Sequence, residues 1–323
     1  MFLTLTPNPC LERTVRLADL GAGHSFRVDS GDIFTSAGGK GINAARVASR
    51  FGAQVRAIAP VGRRQLAWIS YLAREEGIAG EWIEVEADTR ICLNVVHRDG
   101  RITEIIENGA PLEAEDGTRL LEKWRELLPQ ARLACIGGSY PPSPDTALDG
   151  HATLLCGLAA SAGVPLIYDG KSEPFRRALA SKTPPWAIKP NLEEAAAYLN
   201  RSLETASDEL RAVSDLGHRG VEVVLLSCGE RGLYVGHRGA IEWFEAPRVE
   251  TVSPVGSGDS LVGAFAATYL QGGDIFEAAR VGVAAGSANA AQQKSAFVTP
   301  AEAAALVTQV GRSTSGISLP TAS

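Results

Sequence analysis

Short apolar runs alternate with stretches of helical period along most of the chain. Phe2–Leu5, Gln54–Ala59, Leu133–Ile136, Pro165–Tyr168, Ala187–Ile188 and Val223–Ser227 are largely apolar and end after a few residues. Such runs read as strands buried on both faces, since a half-exposed strand would alternate instead. Between them lie helical stretches near 41–51, 65–76, 113–128, 146–162, 192–199 and 204–217, with apolar positions spaced to share one helix face. Strand followed by helix, repeated, predicts an α/β fold: a doubly wound, mostly parallel sheet flanked by helices. In such sheets ligands sit at the carboxyl ends of the strands. Gly137-Gly138 and Gly229 stand at those ends, where the backbone must turn tightly.

Two segments depart from this alternation. Residues 13–17 with 25–35, and 91–97 with 102–107, read as antiparallel β; Cys92–His97 turns at Asp99-Gly100 into Ile102–Ile106. A small sheet inserted at about 13–35 and 89–107 can serve as a lid over a site on the α/β body, although a surface hairpin gives the same pattern. From 311 to 323, Ser, Thr and Gly dominate, the composition of a flexible tail. There is no internal repeat. The expected organisation is one domain over 1–310, with the inserted lid and a tail at 311–323.

Composition restricts the partners. Of 323 residues, 45% are hydrophobic and 21% charged, enough for a substantial core. A formal net charge of −6 and the lack of basic runs with interleaved aromatics argue against nucleic acid. The five cysteines, at 10, 92, 135, 156 and 228, form no C-x-x-C pair, so neither a zinc knuckle nor a redox motif is expected. Scattered single cysteines fit a reducing compartment. Met1–Leu5 has no basic run and reaches Pro7 too soon to read as a signal peptide. No run of about 20 apolar residues offers a membrane span. The expectation is a cytoplasmic protein with no membrane partner.

The glycine-rich segments carry candidate chemistry. Pro254-Val255-Gly256-Ser257-Gly258-Asp259-Ser260 runs directly into the apolar helix Leu261–Leu270. Two glycines in three residues let successive N–H groups face one concavity, which opens into a helix N-terminus. Such a hole suits the charge on a transferring γ-phosphoryl group. Asp259 at its mouth can take a proton from an attacking hydroxyl. An ordinary capped helix start would explain one Asp but not both glycines. Other phosphate loops are excluded. The pair Gly39-Lys40 continues into Gly41, not Ser or Thr, so there is no Walker A loop, and position 261 is Leu where a Rossmann fingerprint needs Gly. No protein-kinase signature set occurs. A second segment, Ala37-Gly38-Gly39-Lys40-Gly41-Ile42-Asn43, precedes a helix and can turn Lys40 and Asn43 toward a ligand.

Together the two segments resemble the paired signatures of the PfkB (ribokinase-like) carbohydrate kinases, G-G-K-G-x-N and G-[AS]-G-D. Thr4-Leu5-Thr6-Pro7-Asn8-Pro9 is similar to the T-x-T-x-N-P opening of the hexose-phosphate branch, which holds 1-phosphofructokinase, tagatose-6-phosphate kinase and the minor 6-phosphofructokinase. Thr89-Arg90, Gly138-Ser139, Lys189-Pro190-Asn191-Leu192-Glu193-Glu194 and Ser227-Cys228-Gly229-Glu230-Arg231-Gly232 resemble further branch motifs. The likeness spans roughly residues 2 to 310 in matching order.

The resemblance implies a ribokinase-like fold, a kinase using ATP and Mg²⁺ on a phosphorylated ketohexose, and a homodimer through the lid. K⁺ occurs in parts of the family. Asp259 would be the base, with the amides of Gly256, Ser257, Gly258 and Asp259 as the anion hole. Gly39, Lys40, Asn43 and Ser139 would line the sugar pocket; Arg90, with Arg27 and Lys40, would hold the sugar's existing phosphate. Asn191 and Glu194 would organise Mg²⁺ through water, although a glutamate there is otherwise a solvated helix carboxylate. Lys189, Ser227, Gly229 and Gly232 would border the nucleotide, with Asn289 near the adenine. Where the branch reads N-P-x-x-D, this chain has Glu12. The carboxylate survives but reaches one methylene further, which bears on the sugar more than on the reaction. A kinase of an unphosphorylated sugar or nucleoside, or a non-catalytic sugar-phosphate sensor, are the competing readings.

Overall fold

The computed structural model describes residues 1–142 and 151–314. Its strands are β1 (Phe2–Leu5), β2 (Cys10–Leu17), β3 (Ile33–Gly38), β4 (Val55–Gly62), β5 (Ala79–Val85), β6 (Arg90–His97) and β7 (Ile102–Ile106). They continue as β8 (Leu133–Gly137), β9 (Leu166–Asp169), β10 (Ala187–Ile188), β11 (Val223–Ser227), β12 (Gly232–His237), β13 (Ala240–Glu245) and β14 (Gly311–Thr314). The helices are α1 (Lys40–Arg50), α2 (Leu66–Glu75), α3 (Ala114–Leu127), α4 (His151–Ser161) and α5 (Ser172–Leu179). The others are α6 (Leu192–Leu199), α7 (Ala206–Gly217), α8 (Ser257–Leu270), α9 (Ile275–Ala290) and α10 (Pro300–Val307).

The large sheet has the order β14-β13-β12-β11-β10-β9-β8-β1-β4-β5. From β11 to β5 all neighbours are parallel, and β12 to β14 add an antiparallel edge. Its strands are apolar on both faces because helices cover both. Phe2, Val223 and Leu225 face α1, α8 and α9, whereas Leu3, Leu5, Val224 and Leu226 face the layer built on α3, α4 and α7. Strand order reverses beside β1: β4 and β5 lie on one side, β8 to β11 on the other. The carboxyl ends of β1, β8 and β9 therefore diverge around one crevice.

Contact between α1 and α8 sets the geometry of that crevice. A Cβ added at Gly263 would lie 2.5 Å from Ala44 O and 2.7 Å from Val47 Cβ, so only glycine lets the helices approach this closely. Asp259, one turn before Gly263, is thereby brought to Asn43, the neighbour of Ala44.

The second sheet has the order β3-β2-β6-β7, with β2 and β6 parallel and the outer pairs antiparallel. The expected insert is therefore present, with one correction. The partner of β2 is Ile33–Gly38, not 25–35, and Glu12 lies opposite Ser36. Residues 18–29, with Gly21-Ala22-Gly23 among them, form no strand: Phe26 and Val28 stand isolated there, and a run of β-branched and aromatic residues begins only at Ile33-Phe34-Thr35.

The tail expected from 311 is also corrected: Gly311–Thr314 pair with β13, and 315–323 lie outside the described residues. The first residues of the helix expected at 146–162 also lie outside them, and α4 is described from His151. No helix among the described residues is long and apolar enough to cross a membrane.

Candidate active site

The turn before α8 is shaped by Gly256, its N-cap, at φ 80°. A Cβ there would lie 2.2 Å from Ser295 Oγ and 2.8 Å from Ala296 N, so both conformation and space demand glycine. The helix starts at Ser257, earlier than the apolar run alone indicated, which places Asp259 within its first turn. First-turn amides have no intrahelical acceptor. The Ser257 N–H is taken by Pro254 O, and Ser260 N closes the turn on Gly256 O. Those of Gly258 and Asp259 are left for an anion, backed by the positive end of the helix.

Contacts from α9 hold this loop in place. Asn289, in the last turn of that helix and only 1% exposed, donates to Val255 O (2.9 Å) and Ser257 Oγ (3.1 Å) and accepts from Ala296 N (2.7 Å). Every polar atom of its amide is thus spent on scaffold. Asn289 itself does not line the cleft, although Gly286, Ser287 and Ala290 beside it do, and its amide braces the anion loop.

Asp259 is buried and accepts from Asn43 Nδ2 at 2.8 Å. Burial pushes its carboxyl up to about 6, helped by the nearby Asp169 charge and opposed by Lys40, Asn43 and Lys189. Asp169, at the end of β9, carried no expectation. Burial would raise it as well, but Lys189 and Lys40 outweigh that and hold it below the usual carboxylate range. Its Oδ1 lies 2.9 Å from Lys40 Nζ and 3.4 Å from Lys189 Nζ. Burial alone would lower the Lys40 ammonium, yet Asp169, Glu194 and Asp259 raise it on balance. Two neighbouring carboxyls thus differ in kind: Asp169 is an anchored anion between lysines, and Asp259 is poised to exchange a proton. The signal for Asp169 was available in the acid that ends Leu166-Ile167-Tyr168-Asp169 at a strand's carboxyl end.

Opposite Asp259, the lid contributes Glu12. It is buried, accepts from Asn43 Nδ2 (3.4 Å) and Asn94 Nδ2 (3.3 Å), and its carboxyl is raised by burial, with Arg46 pulling it back. Asn94 on β6 was also missed; it sits on the same face as Glu12 across the parallel pair. Arg90 donates twice to Asn8 O (3.0 and 3.3 Å) and to Glu107 O (2.9 Å), tying the lid strands to the body. Ser139 lies 3.4 Å from Asn8 Nδ2. Lys189 Nζ would be 3.2 Å from a Cβ at Gly258, so its ammonium borders the anion hole itself.

Asn191 and Glu194 form a reciprocal N-terminal box on α6: Asn191 Oδ1 accepts from Glu194 N (2.7 Å), and Glu194 Oε2 from Asn191 N (3.0 Å). The other Glu194 oxygen is 3.7 Å from Lys40 Nζ. No cluster of three or more His, Cys, Asp or Glu among the described residues forms a metal cage. Ser227 donates to Pro190 O (3.3 Å), and Gly229 and Gly232 shape the turn from β11 to β12 with φ of 62° and 135°.

These groups line one cleft of about 1610 Å³. Its walls carry Glu12, Gly39, Lys40, Asn43, Arg90, Ser139, Lys189, Asn191, Glu194, Ser227, Gly229 and Gly232, together with Gly256–Asp259. Arg27 does not join them; it is exposed, in the strand-free segment between β2 and β3. Beyond the anion hole the cleft continues between Val249, Val255, Leu261, Val283 and Gly286, an apolar slot suited to a flat ring and not anticipated from sequence. The arrangement offers an anion site, a proton acceptor beside it, and polar side chains on both sides.

The pfkB family carbohydrate kinase model matches residues 27–302. Among solved structures, the tetrameric inhibited form of phosphofructokinase-2 from Escherichia coli is 26% identical, with a TM-score of 0.86 over 95% of this chain and 98% of that one. The same enzyme in complex with fructose-6-phosphate is 25% identical, with a TM-score of 0.85 over 96% of this chain and 98% of that one. A protein from Thermotoga maritima described as a possible 1-phosphofructokinase shares the fold, at 22% identity and a TM-score of 0.88 over 97% of this chain and 99% of that one. The chain belongs to the pfkB family of carbohydrate kinases, with the family's ribokinase-like fold.

Proposed function

We propose that this sugar kinase transfers the γ-phosphoryl group of ATP to a hydroxyl of a phosphorylated ketohexose (fructose 1-phosphate, fructose 6-phosphate or tagatose 6-phosphate), with Asp259 as general base. The observation that carries the reading is Asp259: a buried carboxyl titrating at about 6, at a helix N-terminus, 2.8 Å from Asn43 and facing the cleft. A base poised near neutrality can both take and release a proton. In the proposed step Glu12 orients the acceptor hydroxyl, and Asn43 holds Glu12 and Asp259 in place. As its oxygen bonds to phosphorus, its proton passes to Asp259, and the bond to the bridging oxygen breaks to leave ADP. The amides of Gly258 and Asp259, with Lys189 beside Gly258, face the charge on the transferring group.

Mg²⁺ bound with the nucleotide neutralises phosphate charge. It keeps several waters and needs only one or two carboxylates, and Asn191 and Glu194 fit that demand on the cleft wall, where they would hold its waters. Ser227, Gly229, Gly232 and the apolar slot suit the nucleotide.

One observation favours a second reading. Three of Arg90's bonds go to carbonyls of Asn8 and Glu107, which suits a neutral acceptor such as a free sugar or nucleoside. A coupled ATP-consumption assay over hexose phosphates, free sugars and nucleosides decides between them. The account expects phosphorylation of a ketohexose phosphate and a raised KM for it in Arg90→Ala. If all three ketohexose phosphates at saturation accept no phosphate, the reading is wrong.

A further inference from the structure

Behind the site a basic side chain is sealed inside the molecule. Arg46, three residues after Asn43 and on the same face of α1, is 0% exposed. Its guanidinium donates to Asn43 Oδ1 at 2.7 Å, to the Glu76 carboxylate at 2.7 and 2.9 Å, and to Ala37 O at the root of β3. The Phe297 ring covers it, with the guanidinium carbon 4.7 Å from the centroid. A buried ion pair is weak evidence for stability, because desolvation offsets the attraction. Its contacts show what else it does.

A guanidinium carries only donors, so the Asn43 atom that faces it is the carbonyl oxygen. The NH₂ end then points the opposite way, to Asp259 Oδ2 at 2.8 Å and Glu12 Oε2 at 3.4 Å, both acceptors. One amide is held from both ends, and a charged donor on its oxygen strengthens the donors on its nitrogen. We propose that Arg46 is a positioning residue of the phosphoryl-transfer site: by taking the carbonyl end of the Asn43 amide, it locks that side chain between Glu12 and Asp259. Arg46 touches neither substrate; it acts through Asn43. The assignment rests on the kinase reading for its consequence, and on the hydrogen bonds for its existence.

The charged groups facing Asp259 are Asp169 from β9, Lys40 from α1 and Lys189 after β10. Those facing Arg46 are Glu76, Glu12 and Arg50. Replacing Arg46 and Glu76 together by Met removes one charge of each sign, so the long-range field at Asp259 changes little and the lost bond to Asn43 is isolated. The readout is the titration midpoint of Asp259 in the free protein, followed by ¹³C-carboxyl-labelled aspartate and assigned with Asp259→Asn. From about 6, the midpoint is expected to rise by about one pH unit or more in Arg46→Met/Glu76→Met, since a donor to the charged form is loosened. In an Asn43→Ala background the same pair should add nothing. An unmoved midpoint in the folded double variant, or an equal further rise in the Asn43→Ala background, overturns the proposal. Should the apolar pair fail to fold, Arg46→Lys takes its place. A lysine's donors radiate from one nitrogen and cannot serve Glu76, Ala37 O and Asn43 together, so the midpoint again rises if the proposal holds and stays put if it fails. The titration needs no substrate. Absence of kinase activity in the parent protein would defeat the functional reading and leave this test standing.

Discussion

At Asp259 burial and function pull in opposite directions. The carboxyl would titrate near 3.8 in the unfolded chain and titrates at about 6 in the fold, so the native state binds this proton more tightly. Its contribution to stability is complete below 3.8 and is lost as the pH rises through 6. The difference between those two values is worth at most about 3 kcal/mol. Asp259→Asn removes that penalty and should raise the unfolding free energy by about 1–3 kcal/mol at pH ~8, with no gain at pH ~4. Urea denaturation at the two pH values checks this. A variant no more stable than the parent at the higher pH would show that the ionised carboxylate costs the fold nothing.

At the scale of elements, the lid is one place where the chain leaves apolar surface uncovered. Ile91 on β6 and Ile105 on β7 are 42% and 53% exposed, and Leu93, opposite Ile105, lies between them on that face. β7 is also an edge strand, open to pairing. A homodimer through the lid would cover both features. Ile105→Glu is then expected to halve the mass measured by light scattering during size exclusion, with the fold intact by circular dichroism. Equal masses for parent and variant would remove the lid from that role.

The whole molecule was legible in its layers and less so in its joints. Continuous apolar runs such as Phe2–Leu5 and Val223–Ser227 became strands with those bounds, because burial on both faces leaves a pattern that sequence carries directly. β5 was missed, since its exposed start at Ala79 and Gly80 blurs any alternation. α9 was missed as well; a helix packed against α8 and α10 shows little amphipathic contrast. In the cleft, Gly256–Asp259, Lys40, Asn43 and Glu12 stood out because a loop or a motif marks them. Asn94 and Arg46 did not, because their roles come from strands and helices that meet only in the fold, and Asp169 is marked only by its place at a strand's carboxyl end. Asn289 was read as lying near the adenine, and its amide is used up on Val255, Ser257 and Ala296.

All of these elements converge on one proton. The most direct measurement is kcat of Asp259→Asn beside the parent, in the coupled assay with the accepted ketohexose phosphate, at a pH above the carboxyl's titration. The account predicts a loss of about 10²-fold or more, the scale of general-base catalysis. A variant within a few-fold of the parent would contradict it.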